Sequence, residues 1–316
     1  MNRGNGQLGA IRSVLDRADR STEIPVVFCF DVEPDPRVYD RSSPPPWAGF
    51  ERCAEGIQAR RERLSEVAGR PVVFTWFLRL DPQIEQTWGS PTWVAERYGH
   101  VLAELTEAGD QLGLHTHAWR WNAQSGTWFN DLQDPAWSER CLSMGLDAFE
   151  TAFGRKCETH RGGDRFLNAE MLDVMEKRGV KIDLTVEPGL PPLHAEQGEG
   201  WSPDYRRAPT RPYHASPESF PAADPTRHSG PLFVPLLSTP RRRPPFRGEP
   251  LFPWRPSKRF RQRLAVALFR KPAPVAAFAV RTHMSLDTQG WNNVTANLER
   301  LAEHRQMVFK TASETA

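Results

Sequence analysis

No stretch of this chain approaches the roughly 20 consecutive apolar residues that a membrane-crossing helix needs; its longest apolar runs are short ones such as 71–78 and 272–280. The first 23 residues are polar and lack the apolar core of an export signal, so the expected location is the cytoplasm. Cysteine is scarce. Cys29, Cys53, Cys141 and Cys157 form no Cys-x-x-Cys pair, which excludes the spacing of a cysteine zinc site and leaves reduced, buried thiols as the expectation. Net charge is almost absent: 41 Lys and Arg stand against 39 Asp and Glu, for +2. That balance argues against a dedicated nucleic-acid binder and against a long acidic disordered tail. Internal repeats are lacking too.

The near-zero charge conceals a segregated chain. Residues 240–271 hold eleven basic residues (Arg241, Arg242, Arg243, Arg247, Arg255, Lys258, Arg259, Arg261, Arg263, Arg270 and Lys271) against one acid, Glu249. Such a run is commonly a solvated loop. The sharper expectation is contact with the phosphates of a lipid- or nucleotide-linked glycan, with peripheral contact at a membrane surface.

Proline, by contrast, is plentiful at 29 residues, and 17 of them fall between 188 and 256. Outside that stretch, short apolar runs alternate with helical patterns. The expected strands are Pro25–Phe30, Pro71–Leu78, Gln111–His115, Cys157–Arg161, Val180–Thr185, Leu232–Leu237, Val275–Thr282 and Met307–Lys310. The expected helices are Gly49–Ala68, Thr92–Ala108, Asp134–Phe153, Asn168–Arg178, Ser257–Phe269 and Asn292–Glu303, several stopped by glycine. This βα alternation implies a parallel sheet or barrel with helices outside. It organises the chain as a polar lead-in over 1–22 and one α/β domain over 23–312, interrupted by a Pro- and Arg-rich insertion at about 187–256.

Residues able to carry chemistry fall at the expected strand ends. Asp31-Val32-Glu33-Pro34-Asp35 follows the first strand, and its three carboxylates are candidate metal ligands or acid–base groups. His115-Thr116-His117 follows the third. In extended backbone, residues two apart face the same side, so these imidazoles can converge on one ion, and two histidines with a carboxylate suit zinc or a similar divalent metal. Arg161-Gly162-Gly163 follows the fourth strand, and Arg161 can hold a carboxylate. Asp183 lies within the fifth, where a buried acid needs a partner such as Arg161 or a histidine. His283 closes a late strand and is a candidate proton donor. Parallel α/β barrels place their active sites on the face where strands end.

These motifs, in this order from about residue 24 to 310, resemble those of the NodB-homology polysaccharide deacetylases. Phe28-Cys29-Phe30-Asp31-Val32-Glu33 occupies the place of the family's acidic strand end, Gly109–His117 that of its histidine pair, Arg161-Gly162-Gly163 that of its arginine motif, and Val280-Arg281-Thr282-His283 that of its late histidine. Better-known members have adjacent aspartates and histidines one helical turn apart; here the forms are Asp-x-Glu and His-x-His, with Trp119 where the second histidine would stand. Those forms resemble a divergent branch associated with bacterial surface-glycan and lipopolysaccharide biosynthesis.

The resemblance implies an irregular (β/α)7-type barrel and a hydrolase that removes an N-acyl group, acetyl first among candidates, from a sugar or glycan. It implies one divalent ion, zinc foremost with cobalt or nickel as alternatives, on Glu33, His115 and His117, with Asp35 the alternative carboxylate. It further implies Asp31 as general base, Arg161 orienting Asp31, His283 as proton donor and Asp183 holding His283. Trp119, Trp121 and Trp128, which flank the histidine motif, are candidate sugar-stacking residues. Two alternatives stand beside this reading: a metal-dependent amidase or deformylase acting on another small or lipid-linked amide, and a NodB-like domain that binds glycan without catalysis.

Overall fold

The computed structural model describes residues 23–240, 248–270 and 274–315. The lead-in over 1–22 therefore lies outside the described residues, as do Arg241, Arg242, Arg243, Arg247 and Lys271 of the basic run. Among the described residues the strands are β1 (Ile24–Val32), β2 (Thr75–Arg79), β3 (Gln111–Thr116), β4 (Trp119–Asn122), β5 (Thr127–Asn130), β6 (Thr159–Gly162), β7 (Ile182–Asp183), β8 (Leu232–Phe233), β9 (Ser238–Pro240), β10 (Gly248–Pro250), β11 (Ala276–Arg281) and β12 (Met307–Phe309). The helices are α1 (Ala48–Ala68), α2 (Pro82–Trp88), α3 (Trp93–Glu107), α4 (Pro135–Phe153), α5 (Ala169–Arg178), α6 (Ser257–Arg270) and α7 (Thr288–Ala302).

Seven strands run parallel in the order β11-β1-β2-β3-β6-β7-β8, and β12 pairs with the first residues of β1. Just beyond β8 the chain comes round to β11, through a single parallel bridge between Leu236 and Ala277. The sheet is thus curled into the barrel of the α/β class expected from the βα alternation.

The two-residue period of a strand divides the core. In β1, Val26, Phe28, Phe30 and Val32 point outward and pack under the helices. Val27 and Cys29 point inward, where they meet Phe77, Ile182, Leu184, Leu236, Ala277 and Ala279. The interior is narrow, which explains Gly113 in β3: a Cβ there would lie 2.5 Å from Thr159 Oγ1 and 2.7 Å from the Phe77 ring. Outside, aromatic rings fill the layer. Phe30 stacks on Trp76 at 4.3 Å, and Phe28 touches Phe30, Phe74 and Phe278. The buried Asp110 ties this layer together. It accepts two bonds from the Arg61 guanidinium of α1, one from the Phe74 amide and one from the Trp76 indole, so its charge is compensated on every side.

Three local features differ from the sequence expectation. The second strand begins at Thr75 rather than Pro71, because the amides of Val72 and Phe74 are taken by the side chains of Ser65 and Asp110. The short helix α2 was not anticipated, although Asp81-Pro82 marks its start: Asp81 accepts from the Gln83 amide and proline takes the first helical position. The hairpin β4–β5 was read as loop. The proline-rich insertion is ordered against the barrel rather than splayed from it. Tyr205, Tyr213 and Phe233 are buried, Tyr213 and Phe233 exchange backbone hydrogen bonds, and the Tyr205 hydroxyl donates to the Arg165 carbonyl. All four cysteines are free and buried.

Phe28 is fully buried at the junction of β1, β2 and β11. Phe28→Ala is expected to lower unfolding stability by about 3–5 kcal/mol, as large aromatic truncations do, read from the shift of a urea unfolding midpoint.

Candidate active site

The inward positions at the carboxyl ends of the strands carry the polar groups. Continuing the phase of Val27 and Cys29, β1 presents Asp31 and then Glu33; β3 presents His115 and then His117; β6 presents Arg161. All five are buried, Glu33 completely.

Glu33 Oε1 lies 3.0 Å from His115 Nε2 and 2.9 Å from His117 Nε2, and the two Nε2 atoms are 3.1 Å apart. The tautomers follow from the other ring nitrogens. His115 Nδ1 donates to the Arg161 carbonyl at 2.7 Å, and His117 Nδ1 donates to Asp164 Oδ2 at 2.8 Å. Neither acceptor can give a proton back, since Asp164 is held far below the usual carboxylate range: burial pushes it up, but His117, Arg37 and Arg281 outweigh that. In that tautomer the Nε2 atom of each ring faces Glu33 as an acceptor. Burial pushes the His115 pKa down, which keeps its imidazole neutral.

Three lone-pair donors about 3 Å apart repel one another unless a cation lies among them. The second Glu33 oxygen is buried without any hydrogen-bond partner, and the nearest cationic candidate, His283 Nδ1, is 3.6 Å away. Two neutral imidazoles and a carboxylate form a donor set suited to a divalent ion that keeps positions open, and they form a group able to hold one here. Asp35, the alternative carboxylate, is placed elsewhere. Its Oδ2 accepts from the Gly49 amide at 2.6 Å at the start of α1, outside the trio.

A second layer of bonds aims these donors. Asp164 also accepts from Asn130 Nδ2 at 2.9 Å and from the Arg37 guanidinium at 2.5 Å. Asp164 takes a left-handed backbone (φ 50°), a conformation that Asp tolerates better than most residues. Before it, Gly163 lies directly under the His117 ring: a Cβ would fall 2.1 Å from Nε2, so only glycine admits the imidazole. Asp81, bonded to the buried Arg79, accepts from the His117 amide at 3.1 Å. Arg161 Nε donates to both oxygens of Asp31, at 3.0 and 3.2 Å, while its other nitrogens reach the Leu184 carbonyl and Glu187.

Several residues singled out from sequence lie apart from this arrangement. Asp183 does not hold His283. Ile182 and Leu184 face the interior, so strand alternation turns Asp183 outward, where its Oδ2 accepts from His160 Nδ1 at 2.7 Å and its Oδ1 from the Thr185 amide at 2.8 Å. Trp119 and Trp128 are fully buried in the hairpin, so neither offers a ring face to a sugar; Trp119 stacks beside His117 and Trp128 packs against Trp121. Trp121 alone of the three is half-buried, with the Arg41 guanidinium 5.1 Å over its ring. His283 faces a cleft of about 540 Å³ bounded by Asp35, Pro36, Arg37, Val38, Glu196 and Leu286.

Other residues of the site were missed in the sequence. Asp81, Asp164 and Glu187 touch the core groups, and Arg37, Arg79 and Asn130 in turn hold Asp164 and Asp81. For Asp164 a signal existed, because it follows directly on Arg161-Gly162-Gly163. The others lie in segments with no motif spacing.

The curled seven-stranded parallel barrel is a fold shared with solved structures described as polysaccharide deacetylases. The sequence matches no family model and no curated protein. Solved structures do match. One described as "probable Polysaccharide deacetylase from Pseudomonas aeruginosa PAO1" covers 92% of this chain and 89% of its own, with TM-score 0.52 at 12% identity. Puue allantoinase covers 92% and 88%, with TM-score 0.53 at 14% identity. The 4-alpha-glucanotransferase from Thermococcus litoralis covers 93% of this chain but 40% of its own, with TM-score 0.52 at 14% identity. At such identities the likeness is one of fold. The different activities named among these structures show that the fold does not by itself choose the reaction.

Asp164 fixes the tautomer of His117. Asp164→Asn is expected to weaken divalent-metal affinity about 10–100-fold, as loss of such outer partners does, measured by competition with a chromophoric chelator.

Proposed function

We propose that this chain is a metal-dependent hydrolase that removes an N-acyl group, acetyl foremost, from a sugar or glycan. The observation that carries the reading is the meeting of two groups at one barrel mouth: a trio of proton-free donors, Glu33, His115 and His117, and a carboxylate, Asp31, gripped by Arg161. A divalent ion, zinc or else cobalt or nickel, would be held by Glu33 Oε1 and the two Nε2 atoms. When bound it supplies Lewis acidity, which polarises an acyl carbonyl and makes water a competent nucleophile at neutral pH.

The chain's own groups account for the proton movements. Asp31, oriented by Arg161 Nε, takes the proton from the attacking water. Arg161 is itself pinned by Glu187 at 2.9 Å and the Leu184 carbonyl, so the base has little freedom to turn away. His283, just after the end of β11, has its Nδ1 3.6 Å from Glu33 and is about a third exposed to the cleft. It is placed to donate a proton to the departing amine, without which the amine is a poor leaving group. The backbone holds it there closely: a Cβ on Gly49 would lie 2.6 Å from the His283 Cα, so α1 approaches the site through a glycine. The remaining polar groups orient these four roles and have no step of their own.

The cleft between the segment 35–38 and Glu196 is where the sugar is placed in this reading. Trp121 is retained as a stacking candidate, on its exposure. A lipid- or nucleotide-linked glycan in surface-polysaccharide metabolism is the favoured substrate context, on the excess of basic residues over 240–271.

Purified protein is expected to carry about one divalent ion per chain by elemental analysis, and His115→Ala or His117→Ala to lose it. A wild-type chain without affinity for zinc, cobalt or nickel would sink the enzyme reading. Asp31→Asn is expected to keep the ion and lose at least about 10²-fold in acid release, as removal of a general base does. Release is read as free acetate or formate from a panel of N-acylated nucleotide-sugars, lipid-linked sugars and short glycans. Turnover that survives the substitution would remove Asp31 from the role of base.

A further inference from the structure

Four arginines stand around the mouth of the barrel, and three of them are committed. Arg161 holds Asp31 and Glu187, Arg79 holds Asp81, and Arg37 holds Asp164. The fourth, Arg281, ends β11. Its Cα pairs in register with Asp31, and it continues the inward phase of Ala277 and Ala279. It lies two residues before His283, which stands in the short 3-10 turn after the strand. Its side chain is half-buried and makes no hydrogen bond or ion pair among the described residues. It is nonetheless near enough to Glu33 and Asp164 to help hold both ionised. A guanidinium costs several kcal/mol to remove from water unpaired, and here it stays partly exposed rather than turning to any of the carboxylates nearby.

We infer that Arg281 is a specificity residue that receives an anionic group, phosphate or carboxylate, carried by the N-acylated substrate near its scissile amide. This rests on the hydrolase reading above and narrows its substrate class. The planar fork of arginine suits bidentate contact with either anion. A neutral sugar would leave the arginine as it stands. An anionic one would take up its donors and gain affinity in the partly dry mouth. The contact would act on binding and position; no proton transfer is assigned to it.

The test compares N-acetylglucosamine, N-acetylglucosamine 6-phosphate and N-acetylmuramic acid, by titration calorimetry on the metal-loaded protein, with acetate release measured in parallel. The wild type is expected to bind one of the two charged sugars at least about ten-fold more tightly than the neutral one, as a charge-assisted contact gives. Arg281→Gln should abolish that preference, with bound metal measured in both proteins, and Arg281→Lys should restore part of it. Which charged sugar is preferred separates phosphate from carboxylate. A preference that persists in Arg281→Gln would come from the ion itself and overturns the assignment, as does a wild type with no preference. The two readings fail separately. Acetate release from the neutral sugar without any charge preference overturns only the role of Arg281. An Arg281-dependent preference with no acetate from any probe overturns only the deacetylase reading.

Discussion

Everything at the mouth of this barrel follows from one arrangement: Glu33 Oε1, His115 Nε2 and His117 Nε2 face one another about 3 Å apart. The arrangement is costly unless a cation shares it. The outer bonds make sense only as support for it. The Arg161 carbonyl and Asp164 take the Nδ1 protons and so force the lone pairs inward. Asp164 is in turn neutralised by Arg37 and filled by Asn130. Gly163 gives up a side chain so that the His117 ring can sit where it does.

Arg161 links the Glu33–His115–His117 trio to Asp31. Its backbone carbonyl orients a histidine of the trio, and its guanidinium grips Asp31. A single residue thus sets the position of one imidazole and the aim of one carboxylate. The grip is completed from beyond the barrel strands, because Glu187, at the entry to the proline-rich insertion, holds the far side of the same guanidinium. The insertion reaches the cleft a second time at Glu196, which faces Arg37 and whose carbonyl accepts from the Asn130 amide. Through Glu196 it forms part of one wall of the cleft.

The barrel supplies the geometry through strand parity. Val27, Cys29, Ala277 and Ala279 are among the apolar inward residues deeper in the strands, and the charged groups take the last inward positions. The polar cluster therefore sits on a dry, packed floor with one open side. The same parity removes Asp183 from the site and gives it to His160 and Thr185 on the outer face, where it braces the Gly162 turn through the Thr185 hydroxyl.

The elements that could be read from the sequence alone are those whose signal is local. The order of strands and helices, the buried strand at Pro25–Phe30 and the convergence of His115 and His117 follow from periodicity, from glycine stops and from spacing at strand ends. That Arg161 could hold a carboxylate was also legible; its pairing with Asp31, like the choice of Glu33, came only from the family resemblance. What tertiary structure alone decided are the choices among equivalent partners. Sequence offered Asp183 to His283 and left Asp35 open as a ligand; the fold turned the first outward by one strand position and capped the second with the Gly49 amide. It buried Trp119 and Trp128 within a hairpin that had looked like a sugar-binding loop. It recruited Arg37, Arg79, Asn130 and Glu187, tens of residues apart, because a buried charge takes whichever partner the folded chain brings within hydrogen-bond distance. Local chemistry is written at each residue; which residue answers it depends on closure of the barrel.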